Sequence, residues 1–285
     1  MVKTILIQCL LIAFLMVKPV FAQNLDGEPY TPGKDANIDL YMTSYVDSAP
    51  FTTHGNLIEK NILTKGDPLN PPAKGAVLKY VNRFTFAELP ANKSTTPTTL
   101  KGEQEVFYIN SGKGVISTGK NKADLFKGIA VLMPAEKNFT ITNTGTEPLT
   151  MYLISEPVPA GFKPVKDMVV KNENTMPIVS TNGHWCHIVK DIFSKRDGLG
   201  TMYAVLTVGL DPMTISHPHS HNTDFEEVWT EMDGTSIAFL GKQIRTQPPG
   251  TAYMIPPDGK TPHCNINQTD KPVKLLYFST RFDIK

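Results

Sequence analysis

The sequence contains itself twice, in the same order and at a nearly constant offset of 122 to 130 positions. Lys60-Asn61-Ile62-Leu63-Thr64-Lys65 returns as Lys190-Asp191-Ile192-Phe193-Ser194-Lys195. Glu105-Val106-Phe107, just before Gly112, returns as Glu227-Val228-Trp229 before Gly234. Gly128 and Pro134 come back as Gly250 and Pro256, and Asn143 with Pro148 as Asn267 with Pro272. Such self-similarity means two copies of one folding unit. Strand signals lapse in the Pro/Gly/Lys stretch from Pro157 to Lys171, so the expected domains are residues 23–165 and 166–285.

Each copy reads as short apolar, β-branched runs punctuated by turn residues every eight to twelve positions. In the second copy the runs are Ala204 to Val208, Glu227 to Met232, Ser236 to Leu240, Thr251 to Ile255 and Lys274 to Ser279. That rhythm predicts an all-β sandwich or barrel. Lys+Arg 28 nearly cancels Asp+Glu 27, which removes the basic footprint of a nucleic-acid binder or of a protein held on an anionic membrane. A small neutral or anionic molecule is the expected partner, with the chain a monomer or homodimer.

Residues 1–22 carry the marks of a cleavable signal peptide: Lys3, an apolar run from Ile5 to Val17, and Val20-Phe21-Ala22 before Gln23. The apolar run is shorter than the ~20 residues of a spanning helix, so a membrane anchor is not expected. The expected location is secreted or periplasmic. Cys9 leaves with the leader, and Cys186 and Cys264 remain either to pair or to stay as reduced thiols.

Six of the seven histidines lie in the second copy, three of them in His217-Pro218-His219-Ser220-His221. In extended chain, side chains at i and i+2 face the same way, so His219 and His221 can offer two imidazoles to one ion. Further donors stand at Glu227 and at His263, after the Pro256-Pro257-Asp258-Gly259 turn. With Gly234, Gly250 and Asn267 these residues resemble the two sequence motifs of the cupin superfamily. The resemblance runs from about Asn61 to the C-terminus and implies two tandem double-stranded β-helix (jelly-roll) barrels. It also implies that His219, His221, Glu227 and His263 hold a metal. The gaps from His221 to Glu227 and from Gly259 to His263 are each one residue longer than usual, which makes Glu226 a rival to Glu227. Glu227 is preferred because it aligns with Glu105. Three imidazoles and a carboxylate suit Mn, Fe, Co, Ni, Cu or Zn without choosing among them.

In the first copy the ligand positions fall on Pro97, Thr99 and Phe139, leaving Glu105 alone. That barrel is expected to be structural or a metal-free pocket. In the second copy, alternation points Trp229 and Glu231 to the interior, where Glu231 is either a general acid/base or, with the strand curving outwards, a solvated side chain. Trp229, Arg245 and Tyr253 are candidate substrate contacts, Arg245 through its planar fork. His184-Trp185-Cys186-His187 reads as structural, since histidines three apart face opposite sides of a strand. Two functions follow. One is a metal-dependent enzyme resembling the oxygenase, decarboxylase, lyase and isomerase cupins, with Glu231 or Glu227 moving protons on a small oxygen-rich acid or sugar-derived compound. The other is a non-catalytic metal- or sugar-binding or storage cupin.

Overall fold

The computed structural model describes residues 29–179, 185–223 and 225–281. The signal-peptide residues, Cys9 and His184 lie outside the described residues. Asp35–Lys285 pack as one compact unit, distinct from Met1–Lys34.

Among the described residues there are twenty-two strands in four sheets, the all-β pair of jelly-roll barrels that the duplication predicts. The larger sheet of the first barrel runs β13 (Val169–Asn172), β10 (Ile129–Met133), β7 (Glu103–Ser111), β12 (Leu149–Pro157), β5 (Arg83–Leu89), β3 (Leu57–Lys65) and β2 (Phe51–Thr53), with β4 (Ala76–Leu78) parallel to β3. Its smaller sheet runs β6 (Thr98–Thr99), β11 (Asn138–Asn143), β8 (Gly114–Ser117) and β9 (Lys122–Leu125). The second barrel repeats both. Its larger sheet is β1 (Met42–Ser44), β20 (Thr251–Ile255), β17 (Phe225–Asp233), β22 (Val273–Arg281), β15 (Met202–Leu210) and β14 (His187–Ser194). Its smaller one is β16 (Thr214–Ile215), β21 (His263–Asn267), β18 (Ser236–Leu240) and β19 (Gln243–Gln247). Apart from the outermost strands the two orders coincide, down to Glu105 opposite Met133 and Ser155 and Glu227 opposite Ile255 and Ser279.

The outermost strands are exchanged between the copies. β1, from the start of the chain, pairs with β20 in register Met42 to Tyr253. β13, which follows the stretch between the two copies, pairs with β10 of the first barrel in register Ile129 to Asn172.

The central strands are buried on both faces. On β7, Phe107 and Ile109 belong to the core inside the first barrel, whereas Val106 and Tyr108 belong to a core shared with the second. The same shared core takes in Val228 and Trp229 of β17 and Leu275 to Phe278 of β22. All five residues of β10 and of β20 are therefore buried, and their sequences are apolar runs without polar alternation. Each large side chain sealed between the sheets contributes about 1.5–3 kcal/mol relative to exposure.

One carboxylate stitches the two halves. Glu156, fully buried at the end of β12, accepts the backbone N–H groups of Gly200, Thr201 and Met202, each at 2.7 Å, and Nε2 of Gln104 at 2.7 Å. A Cβ at Gly200 would sit 3.2 Å from the Pro157 carbonyl oxygen, a tight approach that glycine relieves. Glu156→Ala strands three backbone donors, and the expected cost is about 3 kcal/mol or more, read as a lowered urea midpoint with little change in slope.

Candidate metal centre

The H-x-H segment is extended but lies outside the named strands. Its place is fixed by an isolated bridge in which His219 N donates to the His263 carbonyl oxygen (3.3 Å) and His263 N to that of His219 (2.9 Å). This two-bond clasp brings together imidazoles 44 positions apart in sequence. Their ring centroids are 4.5 Å apart, and His221 lies 4.6 Å from His219 and 5.0 Å from His263. Glu227 reaches the same point from β17, so that one ligand atom from each of His219, His221, Glu227 and His263 lies within 4.8 Å of the others.

The polar atoms at this point are unsatisfied in a way that a cation would cure. Nε2 of His221, Oε2 of Glu227 and both ring nitrogens of His263 are buried without a hydrogen-bond partner. Nε2 of His221 touches Glu227 Oε2, and Nε2 of His263 lies 3.6 Å from the same oxygen. His219 Nδ1 donates to the His217 carbonyl oxygen at 2.8 Å, which assigns the ring proton and turns the Nε2 lone pair inward. Burial lowers the His219 pKa to about 4, so the ring is neutral and ready to ligate. Burial alone would push the Glu227 carboxyl up, but the imidazoles of His263 and His221 outweigh it and hold it below the usual range, as an anion. The donor set fits a divalent transition metal.

Glu226 points to the other face of β17, where Oε2 accepts from Thr280 Oγ1 at 3.1 Å, and burial raises its pKa to about 7. It is not part of the cluster. Trp229 is not a free pocket wall: its Nε1 donates to Glu227 Oε1 at 2.8 Å. Tyr253 is fully buried with its hydroxyl donating to Asn265 Oδ1 at 3.0 Å, which makes it packing beneath the histidines. Arg245 does not meet the expectation of a free fork, because Nε and Nη2 are engaged by Asp39 at 2.8 and 2.7 Å on the protein surface. Glu231 is sealed inside, not turned to solvent. It is fully buried, neither carboxyl oxygen has a hydrogen-bond partner, and burial raises its pKa to about 8. It stands two inward positions beyond Glu227 on the strand, about 13 Å along the backbone, and is not among the converging groups.

Cys186 is exposed and Cys264 buried, both as free thiols, so the pairing alternative does not hold. Burial pushes the Cys264 thiol up to about 11, which keeps it protonated. Trp185 is exposed with its ring edge on His217 at 4.5 Å, and His187 begins β14 with its ring 5.4 Å from Trp229.

The equivalent place in the first barrel is filled differently. Glu105 is not alone: Arg83 Nη2 donates to its Oε1 at 2.6 Å, and His54 Nε2 lies 3.3 Å from its Oε2. The same guanidinium reaches Glu59 at 3.3 Å and Glu103 at 3.4 Å. Burial disfavours charge on His54, but Glu105 beside it prevails and raises the imidazole's pKa above its ordinary value. Neither His54 nor Arg83 belongs to the repeated motifs. The one hint was that Glu105 persisted without its histidines, so a buried anion there required some other cation.

The Cupin domain family matches residues 85–155, within the first barrel. No curated protein matches the sequence significantly. Solved structures do match in fold. YlbA from E. coli is 14% identical with a TM-score of 0.65, over 89% of this chain and 96% of that one. A putative glyoxylate induced protein from Pseudomonas aeruginosa is 12% identical with a TM-score of 0.69, over 91% and 95%. A point mutant of Bacillus subtilis oxalate decarboxylase OxdC is 12% identical with a TM-score of 0.64, over 89% and 80%. Two jelly-roll barrels in tandem, one of them carrying a convergent His/Glu set, define a bicupin. Residues 85–155 match the Cupin domain, and the tandem barrels are bicupin-like in fold.

The buried acid gives a pH test. Folded protein keeps the proton on Glu231 up to about pH 8, whereas the unfolded chain releases it near 4.5, the ordinary value for a glutamate. Stability from this group is therefore present at acid pH and lost as the pH climbs between those values. Glu231→Gln, neutral at every pH, is expected to remove that slope and to exceed the parent by more than ~1 kcal/mol at the alkaline end. Urea midpoints of both proteins across the range check this, and parallel pH profiles would refute it.

Proposed function

We propose that this chain is a metal-dependent bicupin enzyme whose second barrel binds one divalent transition metal (Mn, Fe, Co, Ni, Cu or Zn) through His219, His221, Glu227 and His263. The observation that carries this reading is the convergence of one ligand atom from each of four residues within 4.8 Å, with His221 Nε2, Glu227 Oε2 and the ring nitrogens of His263 buried and without a hydrogen-bond partner. A purely architectural barrel has no use for such an arrangement, because each orphaned group costs stability. In the first barrel the equivalent carboxylate is instead ion-paired with Arg83 at 2.6 Å and has His54 Nε2 3.3 Å from its other oxygen.

A metal held there supplies Lewis-acid polarisation of a bound oxygen or lowers the pKa of a bound water. The chain's own residues supply the rest. Trp229, Tyr253 and Tyr277 close the inner side of the cluster against water, being 4%, 0% and 8% exposed. The side chain of His221 keeps 20% exposure, which marks the approach from solvent. Of the two acids expected to move protons, Glu227 stands at the cluster and Glu231 lies deeper, beyond Trp229. The substrate class is a small oxygen-rich acid or sugar-derived compound. Oxalate, named in one of the similar structures, is such an acid. Export to the periplasm or beyond is read from residues 1–22; no helix among the described residues is long and apolar enough to cross a membrane.

Purified protein is expected to carry about one metal per chain, and His219→Ala combined with His263→Ala to lose it, by elemental analysis. Full retention in the double variant would overturn the assignment. Turnover of small acids and unsaturated sugar acids, with and without oxygen, then separates the reaction types, and no turnover by metal-loaded protein would remove the enzymatic reading.

A further inference from the structure

We infer that Trp229 is a positioning residue that divides the work of the two Glu227 oxygens, so that this carboxylate binds metal through Oε2 alone. The inference rests on the metal assignment above and adds the coordination mode and the residue that imposes it.

The two oxygens have different neighbours. Oε1 accepts the indole N–H at 2.8 Å, between side chains that are 3% and 4% exposed. Oε2 is the atom that touches His221 Nε2 and lies 3.6 Å from His263 Nε2. An indole nitrogen donates and cannot accept, and it does not titrate in the working range of a protein, so this bond persists at every pH. The indole therefore orients the carboxylate with Oε1 towards Trp229 and Oε2 towards the two imidazole nitrogens, so that one oxygen is presented to an ion. The indole in turn is held in place, its ring edge-on to Tyr277 at 4.8 Å and 64°, with Tyr277 and Tyr253 its cross-strand partners. Single-oxygen binding leaves the site with four protein donors, and a six-coordinate ion then keeps two positions for an incoming molecule.

The duplication supplies an internal control. At the position of Trp229 the first copy has Phe107, which packs on Phe139 at 5.9 Å and offers no donor. There the Oε1 of Glu105 is taken by Arg83 at 2.6 Å. The copy that lacks the ligand histidines thus also lacks the indole, and the β-strand accommodates Phe at that place.

The test compares wild-type protein with Trp229→Phe, both stripped of metal, by calorimetric titration with Zn2+ alone. Alongside it, infrared difference spectra on Zn2+ binding read the separation of the carboxylate stretches, with Glu labelled by 13C. The expected result is a dissociation constant raised by about 10- to 100-fold in Trp229→Phe, a cooperative unfolding transition of the metal-free variant at a lowered midpoint, and a one-oxygen carboxylate signature in the wild type that shifts in the variant. Equal Zn2+ affinity in the two proteins overturns the inference and leaves the metal site standing. A two-oxygen signature in the wild type overturns it as well, whether or not the variant folds. Wild-type protein that takes up no Zn2+ overturns the metal assignment and this inference together.

Discussion

The carboxylate of Glu156, out of reach of water, gathers three consecutive backbone N–H groups from the opposite half of the chain. A buried anion is tolerable only when its lone pairs are filled, and here the donors come from the entry to β15. The contact therefore sets where the second barrel begins relative to the end of the first. From it follows the face-to-face packing of the two larger sheets, the shared apolar core, and the burial of β17 on both sides. Glu227, facing the interior of its own barrel, owes its anionic state to the neighbouring imidazoles of His263 and His221.

One ancestral place has two electrostatic solutions. Both barrels retain an inward glutamate at the same register, opposite serine on one neighbour. In the second, imidazoles surround it, and Nε2 of His221 and the ring nitrogens of His263 are left over for an ion. In the first, a guanidinium reaches three glutamates and a histidine from the β2–β3 turn stands beside the central one. The charge requirement of a buried carboxylate has been kept while the chemistry that meets it has changed.

Much of this was legible in the sequence. That the two barrels share one strand order follows from the duplication, because strand order is inherited with the copy. The runs Ser236–Leu240 and Thr251–Ile255 appear with the bounds that their periodicity gave. The choice of Glu227 over Glu226 rests on alignment with Glu105, and the alternation of β17 turns Glu226 towards Thr280. What the sequence hides depends on contacts with no local signature. His54 sits in a left-handed turn conformation (φ 46°) outside any motif. The fork of Arg245 is engaged by Asp39, 206 positions away. Tyr253 reads as a pocket residue by its chemistry, yet its hydroxyl finds an acceptor within the barrel wall. Strand alternation alone does not place the H-x-H segment, because the backbone of His219 is clasped to His263.

The traded strands β1 and β13 mean that the tandem can no longer be divided. A fragment ending between the copies would carry β1 without β20 and would present the bare flank of β10. The complementary fragment would present that of β20. Open flanks of this kind invite pairing with another molecule. The gene remembers two modules, but the polypeptide has knitted them into a single object whose first strand must wait some two hundred residues for its neighbour to be made.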